Sequence, residues 1–240
     1  MNILILGHNG MLGHMVMSYF DKQNFNISTT NLRFPNEEFK QFVSSYTGDY
    51  IINCIGAIPQ KTKQFECNTD LPIWLDSNLT CKIIHPGTDC EIDNDPYGIS
   101  KRNASDYIKH TGKNTKILKA SIIGPELNSK FSLMEWFLNS DSPVTGYTDA
   151  LWNGVTTYEW VKQCEQLMLN WQYYNTETII SSICISKYEL LSIIKEVFNK
   201  KIEISKMTGV GINKCQTGSI NAKDIQSQLI ELKKYINKEM

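Results

Sequence analysis

The sequence predicts an α/β fold in which a doubly wound parallel sheet is followed by a small C-terminal α/β lobe. Two patterns support this prediction. Short apolar runs alternate with segments of helical periodicity over residues 1–123, and a glycine-rich turn joins the first run to the first helix. Strands that alternate with helices form parallel sheets, because each helix carries the chain back to begin the next strand in the same direction. The 240 residues are enough to bury a substantial core.

The first half of the chain alternates regularly between strands and helices. The apolar run 2–6 ends at Gly7, and apolar residues then recur at helical spacing from 11 to 20. Residues 49–58 include an apolar run typical of a buried strand. The predicted strands of this half are 2–6, 26–30, 49–58, 82–85 and 116–123, and the predicted helices are 11–20, 37–46, 71–78 and 97–110.

The second half of the chain is less regular. Residues 140–154 are rich in turn residues, and residues 208–219 are rich in glycine and polar residues, so neither segment is assigned an element. Ser186 followed by Glu189 has the spacing of a capping box, which predicts the start of a helix. The predicted helices of this half are 133–139, 157–171, 186–198 and 222–236, with one strand at 202–204.

Gly7, Gly10 and Gly13 form a GxxGxxG pattern between the first strand and the first helix. In a Rossmann-like fold the first glycine permits the tight turn, the second lets the backbone approach a pyrophosphate, and the third lets the helix pack closely on the sheet. The helix N-terminus then faces the anion. The pattern therefore predicts a dinucleotide site.

The end of the second strand favours NADP over NAD. Folds that bind NAD usually place an acidic residue there, where its carboxylate bonds the ribose 2′-hydroxyl. The residues here are hydroxyl side chains up to Thr30, followed by Arg33. A guanidinium suits a 2′-phosphate better than a carboxylate would.

Tyr97 and Lys101 form a YxxxK pair at the start of a predicted helix, so their side chains lie one turn apart on the same face. A phenol with a pKa near 10 is a poor acid-base group at neutral pH. A nearby ammonium stabilises the phenolate and is expected to lower that pKa. Following a glycine loop, this pair predicts proton transfer by Tyr97, with Lys101 also holding the nicotinamide ribose.

The composition excludes several other classes of function. Lys and Arg total 24 against 25 Asp and Glu, which argues against binding to nucleic acid or an anionic membrane. No apolar run approaches the length of a membrane span, and residues 1–6 lack the features of a signal peptide. The seven cysteines contain no CxxC pair, so we expect reduced thiols and a cytoplasmic protein. The four histidines show no metal-ligand spacing, and no metal is expected.

With these motifs in place, the chain resembles the extended short-chain dehydrogenase/reductases, and more narrowly the dTDP-4-dehydrorhamnose reductase-like branch. Beyond the glycine loop and the YxxxK pair, the resemblance rests on residues 52–56, 87–90, 120–126, 132–137 and 152–157. It implies a catalytic set of Thr88, Tyr97 and Lys101. The predicted cofactor residues are Gly7, Asn9, Gly10, Met11, Leu12, Gly13, Thr30, Arg33, Cys54, Ile55 and Gly56, together with Tyr97 and Lys101. The candidate substrate residues are Leu133, Trp136, Tyr147, Trp152 and Asn153.

The resemblance implies NADPH-dependent reduction of a dTDP- or UDP-linked 4-keto-6-deoxy sugar, with or without epimerisation beside the keto group. Residues 1–125 are expected to form the NADP-binding domain, and residues 126–240 mainly a substrate lobe interleaved with it. Thr88 would bond the carbonyl oxygen that Tyr97 protonates. A homodimer would be ordinary for such an enzyme.

Two alternatives stay open at this stage. The first is another reaction of the same superfamily, an epimerase or dehydratase. Cys90 argues against a dehydratase, because the resemblance implies that dehydratases of the same superfamily carry a glutamate at that position. The second is a regulatory subunit that binds NADP without turnover. It is suggested by the connection between Thr88 and Tyr97, which is shorter than is usual in the family and leads us to expect an open cleft.

Overall fold

The structure is a computed structural model that describes residues 1–238. The chain divides into two compact units. The first comprises Met1–Lys119 and Cys164–Thr178, and the second comprises Ala120–Gln163 and the residues from Ile179 onward. The sequence prediction places the boundary at residue 125, whereas this division changes after Lys119 and returns to the first unit for Cys164–Thr178. The ligand of each unit stays a prediction.

The first unit is built from parallel strands with helices between them. Its strands are β1 Asn2–Leu6, β2 Asn26–Thr30, β3 Tyr50–Asn53, β4 Lys82–Gly87 and β5 Thr115–Lys119, and its helices are α1 Met11–Lys22, α2 Glu37–Ser44, α3 Glu66–Asn78 and α4 Pro96–Thr111. Neighbouring strands pair in parallel in the order β2-β1-β3-β4-β5. With two later strands beyond β5, the sheet has seven strands within the described residues. The doubly wound parallel sheet is confirmed.

Strands β1 and β3 in the interior of the sheet are buried along nearly their whole length, because helices cover both faces of a parallel sheet. Ile3, Leu4, Ile5 and Leu6 of β1 are fully buried. A cluster on one face combines strand residues with helix residues, namely Leu4, Leu6, Phe39, Val43, Ile51, Leu71, Leu75, Leu79 and Ile83. Burying each such side chain stabilises the fold by roughly 1.5–3 kcal/mol. The core therefore fixes the strand ends, where the polar residues of interest lie.

Three element boundaries of the first unit differ from the sequence prediction by four or five residues. The run at residues 49–58 is strand only as far as Asn53, and the run at 116–123 breaks after Lys119. Helix α3 begins at Glu66, five residues before its predicted start. Pro72 lies inside this helix, and a proline usually marks a helix end or first turn. The polar residues before it gave no apolar periodicity from which the first turn could be predicted.

The second unit combines short strands with four helices, one of which it shares with the first unit. Its strands are β6 Ile122–Ile123, β7 Val144–Tyr147, β8 Ala150–Trp152, β9 Val155–Thr156, β10 Glu177–Ser181, β11 Ile185–Ser186, β12 Ile204–Met207, β13 Ile212–Asn213 and β14 Ile220–Asn221, and its helices are α5 Leu133–Leu138, α6 Thr157–Leu169, α7 Lys187–Phe198 and α8 Ile225–Asn237. Strand β10 and helix α6 cross the division between the units. The capping box predicted at Ser186 and Glu189 is present and begins α7. Within residues 1–238, no helix is long and apolar enough to span a membrane.

Two cysteines of the second unit form a disulfide. Cys184 and Cys215 are bonded, with a Cα–Cα distance of 5.9 Å, and the other five cysteines are free. The expectation of seven reduced thiols is therefore wrong for this pair. The sequence pattern could not show it, because the bond joins residues separated by 31 positions. The segment around Cys215 has further anchors, since the Asp149 carboxylate accepts hydrogen bonds from the backbone N–H groups of Gly209 and Gly211.

Replacing Cys184 by Ser is expected to lower the free energy of unfolding by about 2–4 kcal/mol, because the disulfide restricts the unfolded chain. Urea unfolding without reductant measures the loss. A reducing agent should destabilise the wild type by a similar amount and leave the C184S variant unchanged. Thiol titration in denaturant should count five thiols before reduction and seven after it. Seven thiols in freshly purified protein would contradict the bond.

Candidate active site

The glycine loop between β1 and α1 is packed too tightly for side chains at two of its three glycines. Gly7 has a φ of +81°, and a Cβ there would lie 2.9 Å from the backbone of Cys54 and Ile55. A Cβ on Gly13 would lie 2.1 Å from the carbonyl oxygen of Gly7. At Gly10 the nearest atom to an added Cβ is 3.4 Å away, so the space beside it is open. The loop is a closed turn with one accessible side.

The N-terminus of α1 fits an anionic group. Gly10 caps the helix and has no side chain, so no capping side chain covers the first-turn N–H groups. Helix N-termini attract anions through these groups and the helix dipole. The buried Nδ1 of His8 has no hydrogen-bond partner within residues 1–238. The Asn9 amide donates to Asn31 Oδ1 at 3.3 Å, which ties the loop to the segment after β2. These features match the phosphates of a dinucleotide.

The segment after β2 carries no carboxylate at the strand end. Thr30 is the last residue of β2, and its hydroxyl accepts from the backbone N–H of Leu32 at 3.1 Å. Arg33 follows with an exposed side chain. The structure thus leaves a guanidinium near the end of the second strand, as the sequence predicts for a 2′-phosphate.

The segment after β3 contains the predicted cofactor residues Cys54, Ile55 and Gly56. Asn68 of α3 holds it, because its Oδ1 accepts from Ala57 N at 2.7 Å and its amide donates to Ala57 O at 3.0 Å. Burial raises the pKa of the Cys54 thiol, so this thiol is protonated at neutral pH. The segment can therefore contribute backbone and an uncharged side chain to a bound dinucleotide.

Thr88 follows β4 and caps a 3-10 helix, Asp89–Ile92. Its hydroxyl accepts from Cys90 N at 3.3 Å and donates to Asp89 Oδ1 at 3.0 Å. Glu91 completes the capping box by accepting from Thr88 N at 3.0 Å. The same Glu91 carboxylate pairs with Lys119 at 2.6 Å, and Lys119 also pairs with Glu177 at 3.2 Å. A buried chain of charges therefore fixes the position of Thr88.

Tyr97 lies in the first turn of α4, which begins at Pro96 with Asp95 as its cap. Its ring contacts the ring of Phe65 at a centroid distance of 5.8 Å. Burial raises the pKa of the Tyr97 phenol, the nearby Cys90 thiol raises it further, and a hydrogen bond with Thr88 offsets part of the rise. The net direction is opposite to the lowering expected from a nearby ammonium. At neutral pH Tyr97 is therefore a phenol.

Lys101 lies one turn later on α4, and its ammonium points back to the end of β4. It donates to Pro86 O at 2.9 Å and contacts His85 Nε2 at 3.4 Å. Only 6% of Lys101 is exposed. Burial lowers its pKa to about 8, although Glu91 and Cys67 act in the opposite direction. Thr88, Tyr97 and Lys101 thus meet at the carboxyl end of β4, where ligands bind in open α/β sheets.

The short connection between Thr88 and Tyr97 is tightly packed. Arg102 of α4 donates to the carbonyl oxygens of Glu91 and Asp93 at 2.9 and 3.1 Å. A Cβ on Gly98 would lie 2.4 Å from Cys90 O. The 3-10 helix and the first turn of α4 are therefore in direct contact, and the shortened connection forms a fixed part of the first unit.

The second unit contains the five candidate substrate residues, which differ in accessibility. Trp136 on α5 is 43% exposed, and Leu133 and Tyr147 are half-buried. Trp152 is buried, and its indole N–H donates to Ser121 Oγ at 2.7 Å. Both ends of the Asn153 amide bond the backbone of Gln216, at 2.7 and 3.0 Å. Trp152 and Asn153 therefore support the unit, whereas the other three have surface to offer a ligand.

His85 is the residue of this region that sequence reasoning used only to consider a metal. It is 1% exposed and contacts Lys101 directly. A polar side chain within the apolar run of β4, three residues before Thr88, is a signal that could have placed it at the site. Among residues 1–238, no cluster of histidine, cysteine and carboxylate side chains could hold a metal ion.

Comparison with known proteins identifies the fold. No family model and no curated protein sequence matches the chain. Among solved structures, it is similar to a dTDP-4-dehydrorhamnose reductase from Bacillus anthracis in complex with NADP, with 16% identity, 96% of each chain covered and a TM-score of 0.78. The chain has the fold of sugar-nucleotide reductases. A GDP-mannoheptose C4 reductase from Campylobacter jejuni with NADP bound shares this fold at 13% identity, 98% coverage of each chain and a TM-score of 0.75.

The same fold also carries a different reaction. A dTDP-glucose 4,6-dehydratase from Bacillus anthracis in complex with NAD is similar at 13% identity, with 99% of this chain and 97% of that chain covered and a TM-score of 0.77. The reductase fold alone therefore does not select the reaction or the cofactor, and the site residues have to carry that argument.

Proposed function

We propose that this protein is an NADPH-dependent reductase of a dTDP- or UDP-linked 4-keto-6-deoxy sugar in deoxysugar biosynthesis. The observation that carries the proposal is the position of the Tyr97 phenol, protonated at neutral pH, in the first turn of α4 beside the 3-10 helix that Thr88 caps. Reduction of a ketone needs an acid at the carbonyl oxygen, and a phenol with a raised pKa is in the acid form. A cytoplasmic location and a homodimer stay predictions.

Each residue of the set has a separate task. Tyr97 gives its proton to the C4 carbonyl oxygen and regains one from solvent. Thr88 turns its hydroxyl from Asp89 to the same oxygen, which needs only rotation about one bond because its backbone is fixed by Glu91. Lys101 would hold the nicotinamide ribose. When bound, NADPH supplies the hydride that C4 accepts.

The preference for NADPH rests on the strand end after β2. Thr30 and the exposed Arg33 offer a hydroxyl and a guanidinium to a 2′-phosphate, with no carboxylate at the strand end to repel it. Sugar-nucleotide reductases of this fold have been solved with NADP bound. Trp136, Tyr147 and Leu133 are the accessible candidates for contact with the nucleotide or sugar.

The decisive test is NADPH oxidation by the purified protein with a dTDP-linked 4-keto-6-deoxy sugar, made in the same vessel by a dehydratase. We expect NADPH to be consumed in proportion to a new 6-deoxy product, identified by mass spectrometry. UDP-linked substrate and NADH serve as comparisons. Tight NADPH binding with no turnover on either sugar would instead favour a regulatory subunit.

A dehydratase is the second candidate, because a neighbour of this fold catalyses that reaction. It needs an acid and a base beside the catalytic threonine. Here Asp89 is followed by Cys90, whose thiol contacts the Asp89 carboxylate at 3.7 Å. We therefore expect no 4-keto product from dTDP-glucose and NAD. Formation of that product would replace the reductase proposal.

Two substitutions in the glycine loop are expected to distinguish an effect on NADPH affinity from an effect on stability. Gly10→Ala is expected to leave the thermal midpoint nearly unchanged, because Gly10 has an ordinary φ of −82° and its added Cβ meets nothing closer than 3.4 Å. The new methyl group occupies the open side of the loop, so NADPH affinity should fall about tenfold or more. Calorimetric titration measures it.

Gly13→Ala is the matched variant, with its Cβ directed 2.1 Å from Gly7 O. It is expected to lower both the thermal midpoint and NADPH affinity, because the loop must move. Wild-type affinity in the G10A variant would place the dinucleotide away from this loop.

A further inference from the structure

His85 lies within the site but has no task in the proposed mechanism. It is on β4 with 1% of its surface exposed. Its Nδ1 lies 3.3 Å from Asn53 Nδ2, and its Nε2 lies 3.4 Å from Lys101 Nζ. Both ring nitrogens therefore face a nitrogen of another buried side chain. Which nitrogen carries the ring proton decides which of these contacts is a hydrogen bond.

The direction of this chain of contacts is set by a backbone N–H. Ile55 N can only donate, and it donates to Asn53 Oδ1 at 3.2 Å. The amide NH₂ of Asn53, which also can only donate, is then directed to His85 Nδ1. Nδ1 must therefore be the acceptor, and in a neutral imidazole the proton is on Nε2.

The Nε2–H of His85 faces Lys101, whose protonation state now matters. An ammonium has three protons and no lone pair, so it cannot accept a hydrogen bond, whereas a neutral amine can. The second bond of Lys101, to Pro86 O at 2.9 Å, is available to either form. All bonds in the chain from Ile55 to Lys101 are satisfied together when Lys101 is a neutral amine.

The charged and titratable groups around His85 and Lys101 also affect whether Lys101 is charged or neutral. For Lys101, burial and the Lys119 ammonium oppose the charged form, while Glu91 and Cys67 favour it, and its pKa falls to about 8. Burial and Lys101 together hold the pKa of His85 well below its usual value. His85 therefore stays neutral while Lys101 changes its charge.

We propose that His85 is a positioning residue that holds the Lys101 side chain at the end of β4 and, through its bond to Asn53, favours the neutral amine. The role of Lys101 in turnover rests on the proposed function, but the direction of the hydrogen bonds from Ile55 to Lys101 does not. This preference acts in the same direction as burial, which lowers the pKa of Lys101 to about 8, whereas a free lysine would be fully charged close to neutral pH.

The test is NMR of protein labelled with ¹⁵N-histidine and ¹³C-lysine, with His85 and Lys101 assigned from H85Q and K101R spectra. In the wild type we expect a neutral His85 with its proton on Nε2, and a Lys101 midpoint about two units below that of free lysine. Asn53→Asp keeps an oxygen for Ile55 N–H but replaces the NH₂ donor by an acceptor. In N53D the His85 proton should move to Nδ1, and the Lys101 midpoint should rise by about one unit or more.

A carboxylate at position 53 also attracts the ammonium directly, so the control repeats N53D in a protein that carries His85→Leu. If N53D raises the Lys101 midpoint more in the protein that retains His85 than in the H85L background, the imidazole carries part of the effect. Equal rises of the Lys101 midpoint in the two proteins overturn the proposal. Should N53D fail to fold, the wild type alone still tests the proposal, because a His85 ring proton found on Nδ1 overturns it. None of these readouts uses turnover. An Nε2–H tautomer in a protein that reduces no sugar would retain this inference and reject the proposed reaction.

Discussion

Replacing Tyr97 by Phe is expected to lower the turnover number of the proposed reduction by about a thousandfold while leaving NADPH affinity unchanged. A positioned general acid contributes roughly 10²–10⁴ in rate, and phenylalanine has no hydroxyl from which to donate the proton. The ring itself stays, because Phe retains the edge contact with Phe65. Single-turnover kinetics with a 4-keto sugar nucleotide measures the loss at the chemical step.

Tyr107 provides the matched control for this substitution. It lies on the same helix, and its hydroxyl bonds Ser77 Oγ at 2.8 Å on the surface. Tyr107→Phe removes the same atom and should leave turnover unchanged. Equal rates for Y97F and the wild type would show that another group protonates the carbonyl oxygen.

Replacing Lys101 by Met is expected to stabilise the protein at neutral pH. The pKa of Lys101 is about 8 in the folded state and about 10.4 in the unfolded chain. Below pH 8 both states carry the charge, and the folded state bears the full cost of burying it. Between about pH 8 and 10 the unfolded state binds more protons, so wild-type stability rises with pH.

The size of this effect follows from the pKa difference. At about 1.4 kcal/mol per pKa unit, the wild type should gain about 2 to 3 kcal/mol relative to K101M between pH 7 and pH 10, because part of the pKa difference lies above pH 10. Urea unfolding of both proteins at several pH values measures it, and comparing the two cancels the titration of other groups. A constant difference across this range would show that Lys101 titrates like a free lysine.

The first unit could be predicted largely from sequence because its strands are buried on both faces. The run ending at Leu6 and the glycine loop after it have local signals that do not depend on the rest of the chain. Strands β9 and β10 were not assigned, and β7, β8 and β13 lie in segments predicted to be irregular, since strands of two to five residues leave little periodicity. Their positions depend on distant partners.

The site shows the same division between local and distant information. The YxxxK spacing predicted that Tyr97 and Lys101 lie on one face of α4. It could not predict the burial of Tyr97, which raises the pKa that the ammonium was expected to lower. Asn153 was a candidate for substrate, and its amide is instead engaged by Gln216, 63 residues away. His85 meets Lys101 only because β4 and α4 pack together. Sequence spacing carries no record of such contacts.

The carboxylate of Glu91 connects a buried ion pair to the backbone of Thr88. One of its oxygens accepts from Thr88 N, and the other neutralises Lys119 within the first unit. Removing Lys119 would leave the buried charge of Glu91 without an ion pair and loosen the backbone that carries the Thr88 hydroxyl. A mutational scan scored by activity alone would therefore count Lys119 among the catalytic positions, although its own contacts are with carboxylates behind the site.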